Sequence, residues 1–282
     1  MPDAHPHDLA ELARLSPRPD IRLIATDMDG TLVDDAKQIH DELWPLIDEL
    51  HARGITFCPA SGRQYHDLVR QFEAVADELV FVAENGTYVV AGGREISSDG
   101  LPLDVAREVV RRVRGIPDTG IILCGKRSAY IEGREPEFVE QAQLHYARLR
   151  LVDDLLEVAD DDVLKVTVYD FVSAERNTAP RLAEIRGTLQ VVVSGAHWVD
   201  VLSPTASKGR GLRRVQSALG VTPDQTMAFG DFLNDLEMMD AATYSFAMAN
   251  AHPLLKERAR WVAPANNANG VVRTIRAVLG LE

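Results

Sequence analysis

The stretch IRLIATDMDGTL, Ile21 to Leu32, decides how the rest of this chain reads. Isoleucine, leucine and alanine with few polar interruptions predict a buried parallel strand. The run stops abruptly at two aspartates one residue apart, Asp27 and Asp29, followed by Gly30 and Thr31. Strand carboxyl ends are where open α/β sheets bind ligands. Gly30 lets the backbone turn sharply beneath the two side chains, which can then share one mouth. Close carboxylates repel, so the pair calls for a shared proton or a divalent cation, and an oxygen-rich site suits magnesium.

At 282 residues and 46% hydrophobic, the chain can bury one large core or two modest ones, and we expect two lobes. A net charge of −13 argues against nucleic acid or an anionic membrane as the main partner, since both demand a basic surface. No run approaches the roughly 18 apolar residues of a membrane span. The first twenty residues, read as a polar tail, lack the basic-then-apolar layout of a signal peptide, so a cytoplasmic chain is expected. Cys58 and Cys124 stand 66 positions apart with no C-x-x-C spacing, and they read as small core residues.

Outward from Asp29 the chain alternates. Helical spacing runs over Ile39 to Arg53, a second strand over Ile55 to Ala60, and a second helix over Tyr65 to Ala76. The second strand delivers Ser61-Gly62-Arg63, which places Ser61 at a helix N-terminus where backbone donors make an anion site. A third strand, Leu79 to Ala83, ends in Glu84-Asn85-Gly86. From Thr87 the pattern changes. A hairpin at 87–97 leads into helices at 103–114, 137–150 and 174–186 and strands at 121–124, 129–131, 163–171, 189–194 and 198–202. This mixture suggests an α+β sheet covered on one face by helices, with Asp153 to Asp162 as an acidic solvated loop. The first alternation then returns: Ser207-Lys208-Gly209 opens a helix, Thr226 to Phe229 is a strand ending in GDFLND (Asp231, Asn234, Asp235), Ser245 to Ala249 is another, and a closing helix follows Gly270. The expected organisation is a discontinuous core, 21–86 with 203–282, and an inserted lobe, 87–202, that covers the mouth.

The ordered set DMDGT at 27–31, SGR at 61–63, Lys208 in SKG and GDFLND at 230–235 resembles the haloacid dehalogenase superfamily. ENG at 84–86, AMANA at 247–251 and NGV at 269–271 make it similar to the Cof-type sugar-phosphatase branch, and the resemblance spans Ile21 to the C-terminus. It implies a Rossmannoid parallel-sheet core with an α+β cap of type 2B. It also implies a phosphoric monoester hydrolase dependent on magnesium and acting on a small phosphorylated metabolite, with a sugar phosphate favoured. A phosphomutase using the same aspartyl-phosphate, or a catalytically silent metabolite-binding protein, are the other readings. The branch often carries glycine where this chain has Pro204-Thr205-Ala206 and Ser245-Phe246-Ala247.

Carried over by residue, the resemblance makes Asp27 the nucleophile and Asp29 the general acid and then base. A carboxyl that must hold a proton near pH 7 is expected to have a raised pKa in the closed site. Magnesium is expected on the Asp27 carboxylate, the Asp29 backbone carbonyl and Asp231, with Asp235 orienting Lys208 or standing behind the metal. Lys208, Ser61, Asn234 and the backbone donors at Met28 and Gly62 would hold the phosphoryl oxygens. Thr31 buttresses the loop and Arg63 braces a neighbouring carboxylate. Asn85 is a substrate or hinge contact. His66, His145 and His197 read as ordinary structural histidines, and Tyr130 and Trp198 as core aromatics.

Overall fold

The computed structural model describes residues 17–281, so most of the expected polar tail lies outside the described residues. Its core is a five-stranded, all-parallel sheet in the order β14-β13-β12-β1-β2. Strands β1 (Leu23–Thr26) and β2 (Thr56–Pro59) come from the start of the chain, whereas β12 (Thr226–Gly230), β13 (Tyr244–Met248) and β14 (Trp261–Ala263) come from its end. All four β1 residues are buried, which is why that segment reads as an uninterrupted apolar run. Register does the positioning. Thr26 lies opposite both Phe229 and Pro59, so the loops after β1, β2 and β12 leave the sheet side by side.

Strand β3 (Val80–Ala83) departs from the expected third core strand. It pairs antiparallel with the hairpin β4 (Tyr88–Ala91) and β5 (Arg94–Ser98). It touches β2 through a single parallel bridge, Ala60 to Val82, with the Ser61 N–H donating to the Val82 carbonyl at 2.8 Å. The hairpin's Val89 packs in the same apolar cluster as the parallel sheet.

Residues 119–202 form a six-stranded sheet, β10-β11-β9-β6-β7-β8, comprising β6 (Thr119–Gly125), β7 (Ala129–Ile131), β8 (Leu149–Leu151), β9 (Val163–Asp170), β10 (Gln190–Gly195) and β11 (Trp198–Leu202). Its two faces differ. Val166, Val168, Val199 and Val201 pack with Ala106, Val109, Val110 and Val113 of the helix Leu103–Arg114. Period-two alternation therefore sends Lys165, Thr167, Trp198 and Asp200 to the opposite face. There the helix Pro136–His145 buries Phe138 and Ala142, so helices cover parts of both faces rather than one.

Four helix boundaries also move, the second helix ending at Gln71 short of the expected Ala76. The first helix starts at Leu43, which leaves Pro45 in its first turn, where a missing N–H is tolerated. The expected helix 137–150 ends at His145, and Leu149–Leu151 instead joins β7 as a parallel strand. Segment 174–186 breaks into short turns around Pro180. Strand β14 was not expected; Trp261 anchors it by stacking on Phe246 and Tyr244 at 5.5 and 5.6 Å. No helix among the described residues is long and apolar enough to cross a membrane.

Cys58 and Cys124 are free and fully buried, and burial pushes each thiol up to about 12. Since the thiolate is the reactive form, neither should react with an aromatic disulfide reagent at neutral pH until the protein is denatured, when both should. Rapid stoichiometric reaction of the folded protein would contradict this packing.

Candidate active site

Asp27 leaves β1 at its carboxyl end and is only 6% exposed. The backbone folds back at once, because the Met28 carbonyl accepts the N–H groups of Thr31, Leu32 and Val33. Gly30 sits at φ +75°, and a Cβ there would overlap the Asp231 carboxylate, so only glycine fits the turn. The register of β12 against β1 brings Asp231 to this point, where the Thr31 hydroxyl donates to its Oδ1 at 3.2 Å. Thr31 thus buttresses the loop as expected.

Lys208 opens the helix Lys208–Leu219, whose N-cap Ser207 accepts the Arg210 N–H. Its ammonium is 1% exposed and lies 2.5 Å from Asp27 Oδ1 and 2.8 Å from Asp235 Oδ1. The other Asp235 oxygen accepts the backbone N–H groups of Asp231 and Phe232, at 3.0 and 3.3 Å. Asp235 therefore spends both oxygens holding Lys208 and the GDFLND turn.

Burial pushes the Asp27 carboxyl up, and Asp235 and Asp231 add to this against the pull of Lys208. Burial, then Asp235, push Asp231 up to about 6. Asp27, Asp231 and Asp235 offer carboxylate oxygens within 4.8 Å of one another. With Asp235 already engaged, Asp27 and Asp231 are the pair whose repulsion a hard divalent cation would relieve, so the donor set fits magnesium.

Asp29 differs from expectation. Arg63 grips its carboxylate with two donors, Nε and Nη2, both at 2.8 Å, and Lys37 adds a third at 2.8 Å. Burial alone would raise this carboxyl, but Arg63 and then Lys37 outweigh it and hold it well below the usual carboxylate range. The predicted raised pKa is thus corrected in this arrangement: Asp29 is a carboxylate braced by the very arginine expected to brace one.

The Ser61-Gly62-Arg63 turn faces Asp27 across the loop ends. Its three carbonyls are all engaged: Ser61 accepts from the Asn85 N–H at 2.9 Å, Gly62 from Lys165 Nζ at 3.0 Å and Arg63 from the Glu84 N–H at 3.1 Å. By contrast, the Met28 and Gly62 N–H groups meet no acceptor among the described residues. Two unpaired donors beside a buried carboxylate and lysine suit an oxyanion. Asn234 donates to Asn85 Oδ1 at 3.1 Å, and Asn85 Nδ2 donates in turn to Asp200 at 3.1 Å.

These groups open into a cleft of about 740 Å³ between core and cap, bordered by Asp27, Asp29, Ser61, Gly62, Asn234 and Asp231 on one side. Lys165, Thr167, Asp200, Tyr146, His145 and Trp198 face them from the cap. Two sequence expectations shift here: His145 and Trp198 border the cleft, with ring centroids 4.9 Å apart, rather than serving only structure. His66 and His197 are tied to the Lys126 and Asp170 carbonyls, and buried Tyr130 donates to Asp161, as structural residues. Lys165, Asp200, Thr167 and Glu84 were missed. Charged residues inside apolar strands were the available signal, because such residues are rarely buried without a partner.

A family model described as haloacid dehalogenase-like hydrolase matches residues 24–275. The chain is 35% identical over 265 residues to a 5-amino-6-(5-phospho-D-ribitylamino)uracil phosphatase of Escherichia coli (strain K12), covering 93% of this chain and 97% of that one. It is 29% identical to an HMP-PP phosphatase of Cronobacter sakazakii (strain ATCC BAA-894), over 83% and 86% of the two chains. A solved structure of a Streptococcus mutans UA159 protein matches with a TM-score of 0.83 at 28% identity, over 92% and 99%. A haloacid dehalogenase-like hydrolase from Bacteroides thetaiotaomicron, 22% identical with a TM-score of 0.81 over 92% and 99%, speaks to the fold alone.

Replacing Asp235 by Ala leaves Lys208 short of a buried partner and two backbone donors without an acceptor. Chemical denaturation should show a loss of about 3–5 kcal/mol, and a loss under 1 kcal/mol would contradict the assigned role. An Arg63→Gln variant tests the Asp29 brace. A carboxyl depressed by folding adds stability above its unfolded value, about 4, and that contribution fades as pH falls further. The parent should therefore be the more stable at pH 7, with the gap narrowing in denaturation midpoints taken below pH 4; a gap that widens on acidification would be the wrong sign.

Proposed function

The chain belongs to the haloacid dehalogenase-like hydrolases and is a phosphatase of that superfamily, and on this premise we propose that it is a magnesium-dependent phosphomonoesterase working through an aspartyl-phosphate on Asp27. The observation that carries the reading is the buried Asp27–Lys208 pair at the end of β1, flanked by the free Met28 and Gly62 N–H groups. A binding site alone would not require a carboxylate aimed where phosphate oxygens are held.

An Asp27 oxygen attacks phosphorus as the bond from phosphorus to the leaving oxygen breaks. Met28 N–H, Gly62 N–H, the Ser61 hydroxyl and Lys208 hold the equatorial oxygens, and Asn234 borders the same space. Asp29 donates the proton that the leaving alkoxide needs. For that step it must leave Arg63 and Lys37, which hold it ionised in this arrangement, and take up a proton from solvent before the leaving group departs. As the carboxylate it then accepts a proton from the water that attacks the phosphoryl group, freeing Asp27 and releasing inorganic phosphate. Magnesium, held by the Asp27 and Asp231 carboxylates and the Asp29 backbone carbonyl, would supply the positive charge that lets a phosphate dianion approach these acids.

The cleft supports a substrate class as well. Near the phosphate loops the cleft is polar, with Thr167 and Asp200 of the cap meeting Asn85 of the core and the buried Tyr146 packed beside them, and the cap's aromatic edge carries Trp198 and His145. A phosphorylated polyol bearing a planar ring suits that gradient. The substrate named for the Escherichia coli relative has this plan, which makes it the first compound to try.

Inorganic phosphate release should be measured across phosphorylated sugars, nucleotides and 5-amino-6-(5-phospho-D-ribitylamino)uracil, with magnesium and with chelator. Turnover is expected only with magnesium, with an Asp27→Asn variant slower by about 10³-fold or more. Undiminished release by that variant, or in chelator, would sink the mechanism. A better rate on ring-free sugar phosphates would redirect the substrate class.

A further inference from the structure

Lys165 belongs to the cap, yet its ammonium ends beside the phosphate loop of the core. It projects from the cleft-facing side of β9 and is 2% exposed. It donates to the Gly62 carbonyl at 3.0 Å and is ion-paired with Glu84 at 2.9 Å and Asp200 at 3.1 Å. Burying an ammonium among strands is costly without compensation, and a stabilising core would be simpler to build from apolar residues of similar size. Asp200 and Glu84 outweigh that burial, so Lys165 stays charged.

The cluster grips the turn that presents Gly62. Glu84 and Asn85 both adopt left-handed backbone, φ +52° and +57°. Two consecutive non-glycine residues there are strained and persist only where their surroundings over-determine them. Asn85 is held by its N–H on the Ser61 carbonyl and its side chain on Asp200, while Thr167 donates to the other Asp200 oxygen at 2.6 Å. The Ser61 carbonyl, which shares its peptide plane with the Gly62 N–H, is thus pinned by Asn85, and the Gly62 carbonyl in the next peptide plane is pinned by Lys165, so both planes that meet at the Gly62 Cα are held. Their positions set where the free Gly62 N–H points.

We propose that Lys165 is a positioning residue: a cap side chain that fixes the Ser61-Gly62-Arg63 turn so that the Gly62 N–H meets the transferring phosphoryl group. The inference rests on the phosphatase reading and extends it, since it makes the cap part of the phosphate-binding machinery as well as a wall for the leaving group. Lys165 touches the turn and acts through it.

The test compares the parent with Lys165→Met and with Lys165→Met/Glu84→Gln, in which the cluster keeps the parent's net charge but the Gly62 carbonyl still loses its donor. Each protein is checked for a cooperative thermal melt and then assayed with p-nitrophenyl phosphate, which is too small to need the cap's outer wall. Orthovanadate binding is measured by calorimetry with magnesium present. Displacing a phosphoryl donor should lower kcat about 10- to 100-fold and weaken vanadate by a similar factor, with KM changing less. Folded variants that keep the parent's kcat and vanadate affinity would overturn the proposal, as would failure of both to fold, which would assign the cluster to stability. If the parent releases no phosphate, the functional reading fails by itself, while vanadate affinity still decides the role of Lys165.

Discussion

The structure depends on gathering negative charge at one end of a parallel sheet and keeping it there. Asp27, Asp231 and Asp235 converge because β1 and β12 are neighbours in register, and an arrangement of three carboxylates in a half-dry pocket is unfavourable by itself. Lys208 is the fixed countercharge. Buried between Asp27 and Asp235, it joins the loops after β1 and β12 to the first turn of a helix that follows the cap in sequence. One positive charge does not balance three carboxylates, and the donor set left over fits a divalent cation, whose charge would let a phosphate approach two acids that otherwise repel it.

A second set of charges repeats this logic one layer further out. Lys165, Glu84 and Asp200 form a buried cluster across the junction of core and cap. Gln64 strengthens the junction by exchanging hydrogen bonds with the backbone of Arg148, at 2.9 Å in each direction. The cap is therefore joined to the core next to the phosphate loops, while its aromatic edge at Trp198 and His145 stays open to the cleft. The anchored junction and the open aromatic edge thus fall on different parts of the cap.

Much of this is legible in the sequence. Asp27, Ser61 and Asp231 each follow an apolar run, and a parallel sheet must bring such strand ends together, so their convergence follows from pattern and topology. Lys208 and Asp235 were readable only through the ordered motifs, since either alone resembles a solvated helix residue. What escaped depended on register and on partners distant in sequence. Lys165 and Asp200 look like isolated charges until β9 and β11 are paired and their alternation sends both to one face. The state of Asp29 was misjudged because its chemistry suggested a proton, whereas Arg63 and Lys37 supply three charged donors. Strand β3 was assigned to the parallel sheet on its apolar composition, which does not distinguish a parallel neighbour from the antiparallel hairpin that follows it.

The central claim is that Asp27 becomes covalently phosphorylated. The direct measurement is rapid acid quenching during turnover, followed by mass spectrometry of the peptide containing Ile21 to Leu32. The account predicts one added phosphoryl group, assigned to Asp27 by fragmentation and lost when hydroxylamine is added. A parent protein that turns over substrate while the phosphoryl group is found on another residue, or on none at any quench time, would contradict it.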